Sequence, residues 1–159
     1  MRWTRPGQIH LTLNFLGSIE IARIPEIASA LKAASDGHRR HTVRSQGLGC
    51  FPNPSRPQII WAGLAGDLQP LQGLKNSIDA RLLDCGCTVE DRPFHPHLTI
   101  GRAAALNSAA RRQVSEVLAT EQGRDFGEWQ VERVDLMQSV LSQHGAAYNT
   151  LESFLLGNP

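Results

Sequence analysis

Apolar residues fall on every second position at Ile9, Leu11, Leu13 and Phe15, with His10, Thr12 and Asn14 between them. A two-residue period places the two sets on opposite faces of a strand, and Gly17 ends it. Beyond Pro25, which suits the first turn of a helix, Ile24, Ile27, Ala28, Leu31 and Ala34 recur at helical spacing as far as Ser35-Asp36-Gly37. Residues 41–50 read as a strand. A turn rich in proline, Phe51 to Pro57, separates it from an apolar strand over 58–64 that contains Trp61. Leu68, Leu71, Leu74, Ile78 and Leu82 mark one face of a helix over about residues 67–84, with Pro70 in its first turn.

Thr88 to Arg92 is expected as a short strand. Pro93-Phe94-His95-Pro96 forces extended backbone ahead of a strand at His97-Leu98-Thr99-Ile100, closed by Gly101. Leu106 to Glu121 carries Val114, Val117 and Leu118 on one side and Arg111, Arg112 and Glu116 on the other. This is a surface helix that Asn107 or Ser108 can cap. Two strands, about 128–141 and 146–156, finish the chain around a turn at Gln143-His144-Gly145. Strands that come in hairpin-like pairs between helices predict an α+β fold with antiparallel sheets, not a doubly wound parallel one. No linker divides the 159 residues, which are the size of one domain or of two small lobes sharing a core.

Composition removes several functions. Hydrophobic residues make up 41% and charged residues 19%, enough for a core and too little charge for a disordered chain. No apolar run approaches the roughly 20 residues that span a bilayer, so no membrane partner is expected. Sixteen Lys and Arg against fifteen Asp and Glu leave a formal charge of +1, so contact with nucleic acid has to be local. Three cysteines without framework spacing, Cys50, Cys85 and Cys87, fit a reducing cytoplasm. Cys85-Gly86-Cys87 lacks the spacing of a redox pair and reads as buried or inert.

One pattern occurs twice. Ile9-His10-Leu11-Thr12-Leu13 and Pro96-His97-Leu98-Thr99-Ile100 share His-x-Thr-x with x apolar. On a strand, His and Thr two apart point the same way while their apolar neighbours face the core. A single copy is weak, since most such histidines are structural. Two copies offer a matched pair of imidazoles and hydroxyls. That set suits phosphodiester chemistry without a metal: one imidazole takes a proton, the other, as imidazolium, gives one, and the hydroxyls donate to the non-bridging oxygens.

With these motifs and their flanks the chain resembles the 2H phosphoesterase superfamily, in particular the RNA 2′,3′-cyclic phosphodiesterases, also called 2′-5′ RNA ligases. The resemblance rests on Arg5-Pro6 before the first motif and Asn14-Phe15-Leu16-Gly17 after it, on Gly49-Cys50-Phe51-Pro52 with Pro57 and Trp61, on Arg92 to Arg102, and on Gln138-Ser139-Val140-Leu141 with Tyr148 beyond. It implies a bilobal α+β fold of two antiparallel sheets related by a pseudo-twofold axis, outer helices, and one motif per lobe on a central cleft. It also implies hydrolysis of 2′,3′-cyclic phosphate on RNA ends or small cyclic nucleotides to the 2′-phosphate, with no cofactor and no metal, and reversible 2′-5′ ligation. His10 and His97 are then the catalytic pair; His10 is expected to protonate the departing 3′-oxygen and His97 to activate water, roles that the pseudo-symmetry leaves interchangeable. Thr12, Thr99 and Arg102 are then the phosphate-binding groups. The family carries a further strand and helix before its first motif, whereas nine residues precede His10. A lobe short of that piece is expected to be less stable or to associate through the depleted face, leaving monomer or self-association open. A non-catalytic RNA-end-binding module with the same pocket is the alternative.

Other residues are read more plainly. His95 and His97 have metal-ligand spacing, but no carboxylate clusters beside them to close a site, and His95 is expected to shape the rim. The cluster His38, Arg39, Arg40, His41 and Arg44 reads as a solvated helix end or as a guide for RNA. Of the aromatic residues, Trp61 is expected in the core, and Phe51 and Phe94 as possible base-stacking platforms beside Trp3. Tyr148 begins the last strand or lines the cleft.

Overall fold

A computed structural model describes residues 1–103, 106–142 and 145–157. It is an α+β fold with two antiparallel sheets and three α-helices. The chain divides into two compact units.

The first unit comprises residues 1–13, 43–67 and 94–129. Its five-stranded sheet runs in the order β1 (Arg2–Trp3), β4 (His97–Arg102), β3 (Ile59–Ala65), β2 (His41–Phe51) and β5 (Asp125–Val131). Two irregularities in register govern which side chains face which way. Between Ser45 and Leu48, β2 spends one residue more than β3. Gly47 sits there at φ +74°, and a Cβ on it would stand 2.3 Å from the Gln122 carbonyl oxygen. Only glycine fits that backbone and that contact. Its amide donates to the Arg124 carbonyl, which ties the bulge to the loop before β5. The second irregularity lies in β4. Thr99 pairs with Trp61 and Gly101 with Ile60, so Ile100 is the extra residue. Val43, Ser45, Ile60, Ala62 and Gly101 are buried on one face of this sheet. The helix α3 (Ser108–Thr120) contributes buried Leu118. Asn107 caps it, its side-chain oxygen accepting from the Ala110 amide at 2.9 Å.

The second unit comprises residues 14–42, 68–93 and 130–159. Here α1 (Ile24–Asp36) packs on α2 (Gln69–Asp84) and on the hairpin β6 (Arg133–Ser142) and β7 (Gly145–Leu155). Ile27, Leu31 and Ala34 on α1 and Leu71, Leu74, Ile78 and Leu82 on α2 are all buried, following the helical spacing of the sequence. Lys75, also buried, pairs with Asp79, which accepts in turn from Asn14. A buried charge needs such a partner. Arg23 donates to the Cys85 carbonyl and approaches buried Cys87 Sγ at 3.7 Å. Burial, then nearby Glu26 and Cys87, push the Cys85 thiol up. This suits an unreactive pair.

Four expectations need correction. Residues 9–15 form one isolated bridge, Leu11 to Leu98, and no regular strand. The reason is that β1 and Leu11 share the same edge of β4, with a 3-10 turn at Pro6–Gln8 bulging out between them. Thr88 to Arg92 is irregular rather than a strand. The span 128–141 is two strands broken at Glu132, the first of them, β5, starting at Asp125. Trp61 is half-buried on the face opposite Ile60 and Ala62, not in the core. The turn expected at Gln143-His144-Gly145 falls partly outside the described residues.

Candidate active site

The site is assembled on one face of β4. Its register with β3 sets His97 opposite Gly63 and Thr99 opposite Trp61, with Leu98 opposite Ala62. Directly paired residues of antiparallel strands point the same way. His97, Thr99 and Trp61 therefore share the face that Ile60 and Ala62 turn away from. On the other edge of β4 the bridge Leu11 to Leu98 is antiparallel. That bridge runs the two motifs antiparallel about Leu11 and Leu98. Were alternation to continue on either side of it, His10 would flank Thr99 and Thr12 would flank His97. Both motifs belong to the first unit, where the resemblance implies one per lobe.

The two bulges bring further residues to this face. Past the extra residue Ile100, alternation in β4 is inverted, so Gly101 joins the buried face and Arg102, opposite Ile59, joins the histidines. The bulge at Gly47 does the same in β2, setting Gly49 opposite Trp61 and Phe51 opposite Ile59. A Cβ on Gly49 would lie 2.2 Å from Trp61 ring carbons, so the indole packs directly against that glycine. Phe51 meets the His97 ring edge-on, with centroids 5.0 Å apart and planes at 81°. Trp61 stands 6.1 Å from the His97 ring and 5.4 Å from Phe51. Such offset aromatic contacts hold a ring in one orientation.

Both histidines make the same local contact. His10 Nδ1 is 2.8 Å from the Gln8 carbonyl oxygen, and His97 Nδ1 is 2.7 Å from that of His95. A carbonyl only accepts, so Nδ1 carries the hydrogen in each ring. The lone pair of the neutral form, or the second hydrogen of the charged form, is therefore on Nε2. His10 is exposed and His97 half-buried. Thr12 and Thr99 are half-buried, and neither hydroxyl is engaged by a side chain or carbonyl among the described residues. Arg102 is exposed and has no ion-pair partner among them. The Cys50 thiol, whose position opposite Ile60 turns it away from the histidines, is pushed up by burial, which keeps it protonated and a poor nucleophile.

The remaining candidates are elsewhere or serve otherwise. Phe94 is half-buried in the irregular segment before β4. His95 is exposed and meets His97 through its backbone oxygen. No group of three or more His, Cys, Asp and Glu with metal-binding geometry occurs among the described residues. Arg44 is paired with Asp125 and Glu128, and His38 bonds Ser77, so the basic cluster is partly committed to structural contacts. Tyr148 lies in β7 of the second unit, opposite Ser139. The sequence places Trp61 in the core and brings in Gly49 only through the resemblance, so neither is assigned there to the histidine face. The signal was the pairing of a large ring with a glycine, hidden because Ile59 to Leu64 is apolar throughout.

Known proteins share this arrangement of chain. A family model described as the 2′-5′ RNA ligase superfamily matches residues 5–142. An RNA 2′,3′-cyclic phosphodiesterase of Aquifex aeolicus is 31% identical over 157 residues, 98% of this chain and 82% of the relative. The protein of that name from Aeropyrum pernix is 31% identical over 152 residues, 95% and 84% of the two chains. Among solved structures, a Thermus thermophilus protein superposes with a TM-score of 0.74 at 28% identity, over 99% of this chain and 82% of its own. Escherichia coli LigT, crystallised with 3′-AMP, superposes at 0.74 with 21% identity over 98% and 80%, a likeness of fold. No helix among the described residues is long and apolar enough to cross a membrane.

Proposed function

The chain belongs to the 2′-5′ RNA ligase superfamily, and from that premise we propose that it hydrolyses 2′,3′-cyclic phosphate on RNA ends or small nucleotides to the 2′-phosphate, using His10 and His97 and no metal. The observation that supports this reading is the matched Nδ1-to-carbonyl contact of the two imidazoles, from which proton transfer is assigned to Nε2 in each ring.

The reaction needs one base and one acid. His97 Nε2 takes a proton from water as its oxygen bonds to phosphorus. The bond from phosphorus to the 3′-oxygen breaks, and the His10 imidazolium gives that oxygen its Nε2 proton. The product is a 2′-phosphomonoester and a free 3′-hydroxyl, and the proton returns to His10 through solvent. Thr12, Thr99 and Arg102 donate to the non-bridging oxygens, where charge grows in the transition state. Phe51, with Trp61 behind it, is a positioning residue that holds the His97 ring, and Phe51 is better placed than Phe94 to stack a base. A 5′-hydroxyl in place of water yields a 2′-5′ linkage by the same transfers, and the reverse reaction follows the same path.

Turnover of 2′,3′-cyclic AMP in EDTA is the test. Activity is expected to persist in chelator and to fall about 10²- to 10⁴-fold in His10→Ala and in His97→Ala, the usual worth of a positioned acid or base. Near-full activity in either variant would falsify the pairing. Loss in EDTA points to a metal enzyme, and binding without product points to a module that only holds RNA ends.

A further inference from the structure

We propose that Arg56, Arg111 and Arg112 form a docking surface for the RNA strand behind the reacting end, one that takes its internal phosphodiesters and so favours oligoribonucleotides over mononucleotides. This rests on the functional reading above. All three arginines belong to the first unit. The loop that carries Arg56 leaves the sheet at Phe51 and returns at Gln58, whose amide donates to the Phe51 carbonyl at 2.7 Å. It therefore begins and ends at the row in which Phe51, Ile59 and Arg102 are paired. Asn53 fixes the loop from within, its side-chain oxygen accepting from Ser55 Oγ and from the Arg56 amide. The helix α3 fixes it from outside, where Ser115 Oγ donates to the Pro54 carbonyl at 2.8 Å. Residues three and four apart share a helix face, so Arg112 and Arg111 lie on the side of α3 that presents Ser115 to the loop. Pro54 is three residues from Phe51, at most about 11 Å away. The surface thus starts within a short oligonucleotide's reach of the ring that meets His97.

The charge here is not used by the fold. Arg56 and Arg112 are exposed and have no ion-pair partner among the described residues. Arg111, also exposed, donates from Nε to the Leu106 carbonyl at 3.0 Å, which pins its guanidinium and leaves the Nη1 and Nη2 edge. That edge is a fork suited to the two anionic oxygens of a phosphodiester. Residues 51–58 and α3 as far as Ser115 contain no carboxylate. Glu116 is the first, and no ion pair joins it to Arg112 among the described residues. Cations near the start of a helix oppose its dipole, and α3 has no acidic residue in its first turn to offset them. Two consecutive arginines therefore weaken this helix. The whole chain carries only +1, so the surface is a local concentration of charge, as a polyanion met at one place requires.

The experiment compares 2′,3′-cyclic AMP with a pentanucleotide ending in a 2′,3′-cyclic phosphate, in wild type, Arg56→Gln, Arg112→Gln and Arg81→Gln. Arg56→Gln and Arg112→Gln are each expected to raise KM for the pentanucleotide about three- to tenfold at constant kcat, and to leave cyclic AMP turnover as it was. The salt dependence of that KM should lose close to one unit of slope in each, as for one phosphate contact. Arg81→Gln removes an equal charge from an exposed position of the second unit and should change neither substrate. The melting temperature of Arg112→Gln should equal or exceed that of wild type. Equal losses on both substrates, none on either, or the same loss in Arg81→Gln would overturn the surface. A lower melting temperature would make Arg112 a structural residue and count against it as well. Should wild type turn over neither substrate, the functional reading fails separately. Fluorescence anisotropy of a labelled pentanucleotide 2′-phosphate with wild type, Arg56→Gln and Arg112→Gln then decides the surface alone.

Discussion

Each catalytic candidate is defined by which of its atoms is already committed. Nδ1 of both imidazoles faces a carbonyl two residues back, so the chemistry of each ring narrows to one nitrogen. A substrate in which sulfur replaces the 3′-oxygen separates the two roles, because a thiolate leaves without a proton. His10→Ala is expected to regain most of its lost activity on that substrate, within about tenfold of wild type, while His97→Ala stays inactive on both. Steady-state hydrolysis of the oxygen and sulfur compounds side by side checks it. The two histidines and two threonines were legible in the sequence because chemistry fixes residue type and the repeat fixes spacing. Trp61 was not, since an apolar run gives no sign of which side turns inward.

At the scale of the element, the bulges decide which residues meet. Strict alternation along β2 would put Phe51 on the side of Val43 and Ser45, and along β4 it would put Arg102 with Leu98. One extra residue in each strand reverses both assignments. Helices were read closely because their apolar stripes and stop signals are local. Strand facing was not, because a bulge is settled by pairing with a neighbour distant in sequence. Gly49 shows how tightly this surface is built. Gly49→Ala places a methyl inside the van der Waals radius of the Trp61 ring and is expected to displace the indole and loosen His97. Tryptophan fluorescence should shift, and kcat should drop about tenfold, with stability reduced by about 1–3 kcal/mol. An unchanged emission spectrum with full activity would contradict that packing.

On the scale of the whole molecule, the two histidine motifs and most of the large apolar core residues lie in different units. The first unit carries both motifs, whereas Ile27, Leu71, Leu74, Ile78 and Leu82 in the second are among the most deeply buried side chains. Leu74→Ala empties a fully buried position and is expected to cost about 2–5 kcal/mol, read from a urea titration. A loss below about 1 kcal/mol would mean that the helices collapse to fill the space. The α+β class and its antiparallel character followed from the order of elements. That both motifs fall in one unit did not, because the pairing of Leu11 with Leu98 joins segments far apart along the chain, and nothing local announces it.

The antiparallel bridge between the motifs at Leu11 and Leu98 has an outcome for product identity. In the proposed mechanism a half-turn about that bridge would exchange one histidine for the other and one threonine for its counterpart, whereas Phe51 and Trp61 are set against His97. The choice between breaking toward one ribose oxygen or its neighbour would then fall to the groups that grip sugar and base around the periphery. Regioselectivity becomes a property separable from speed, open to change at the rim while the reacting centre is left alone.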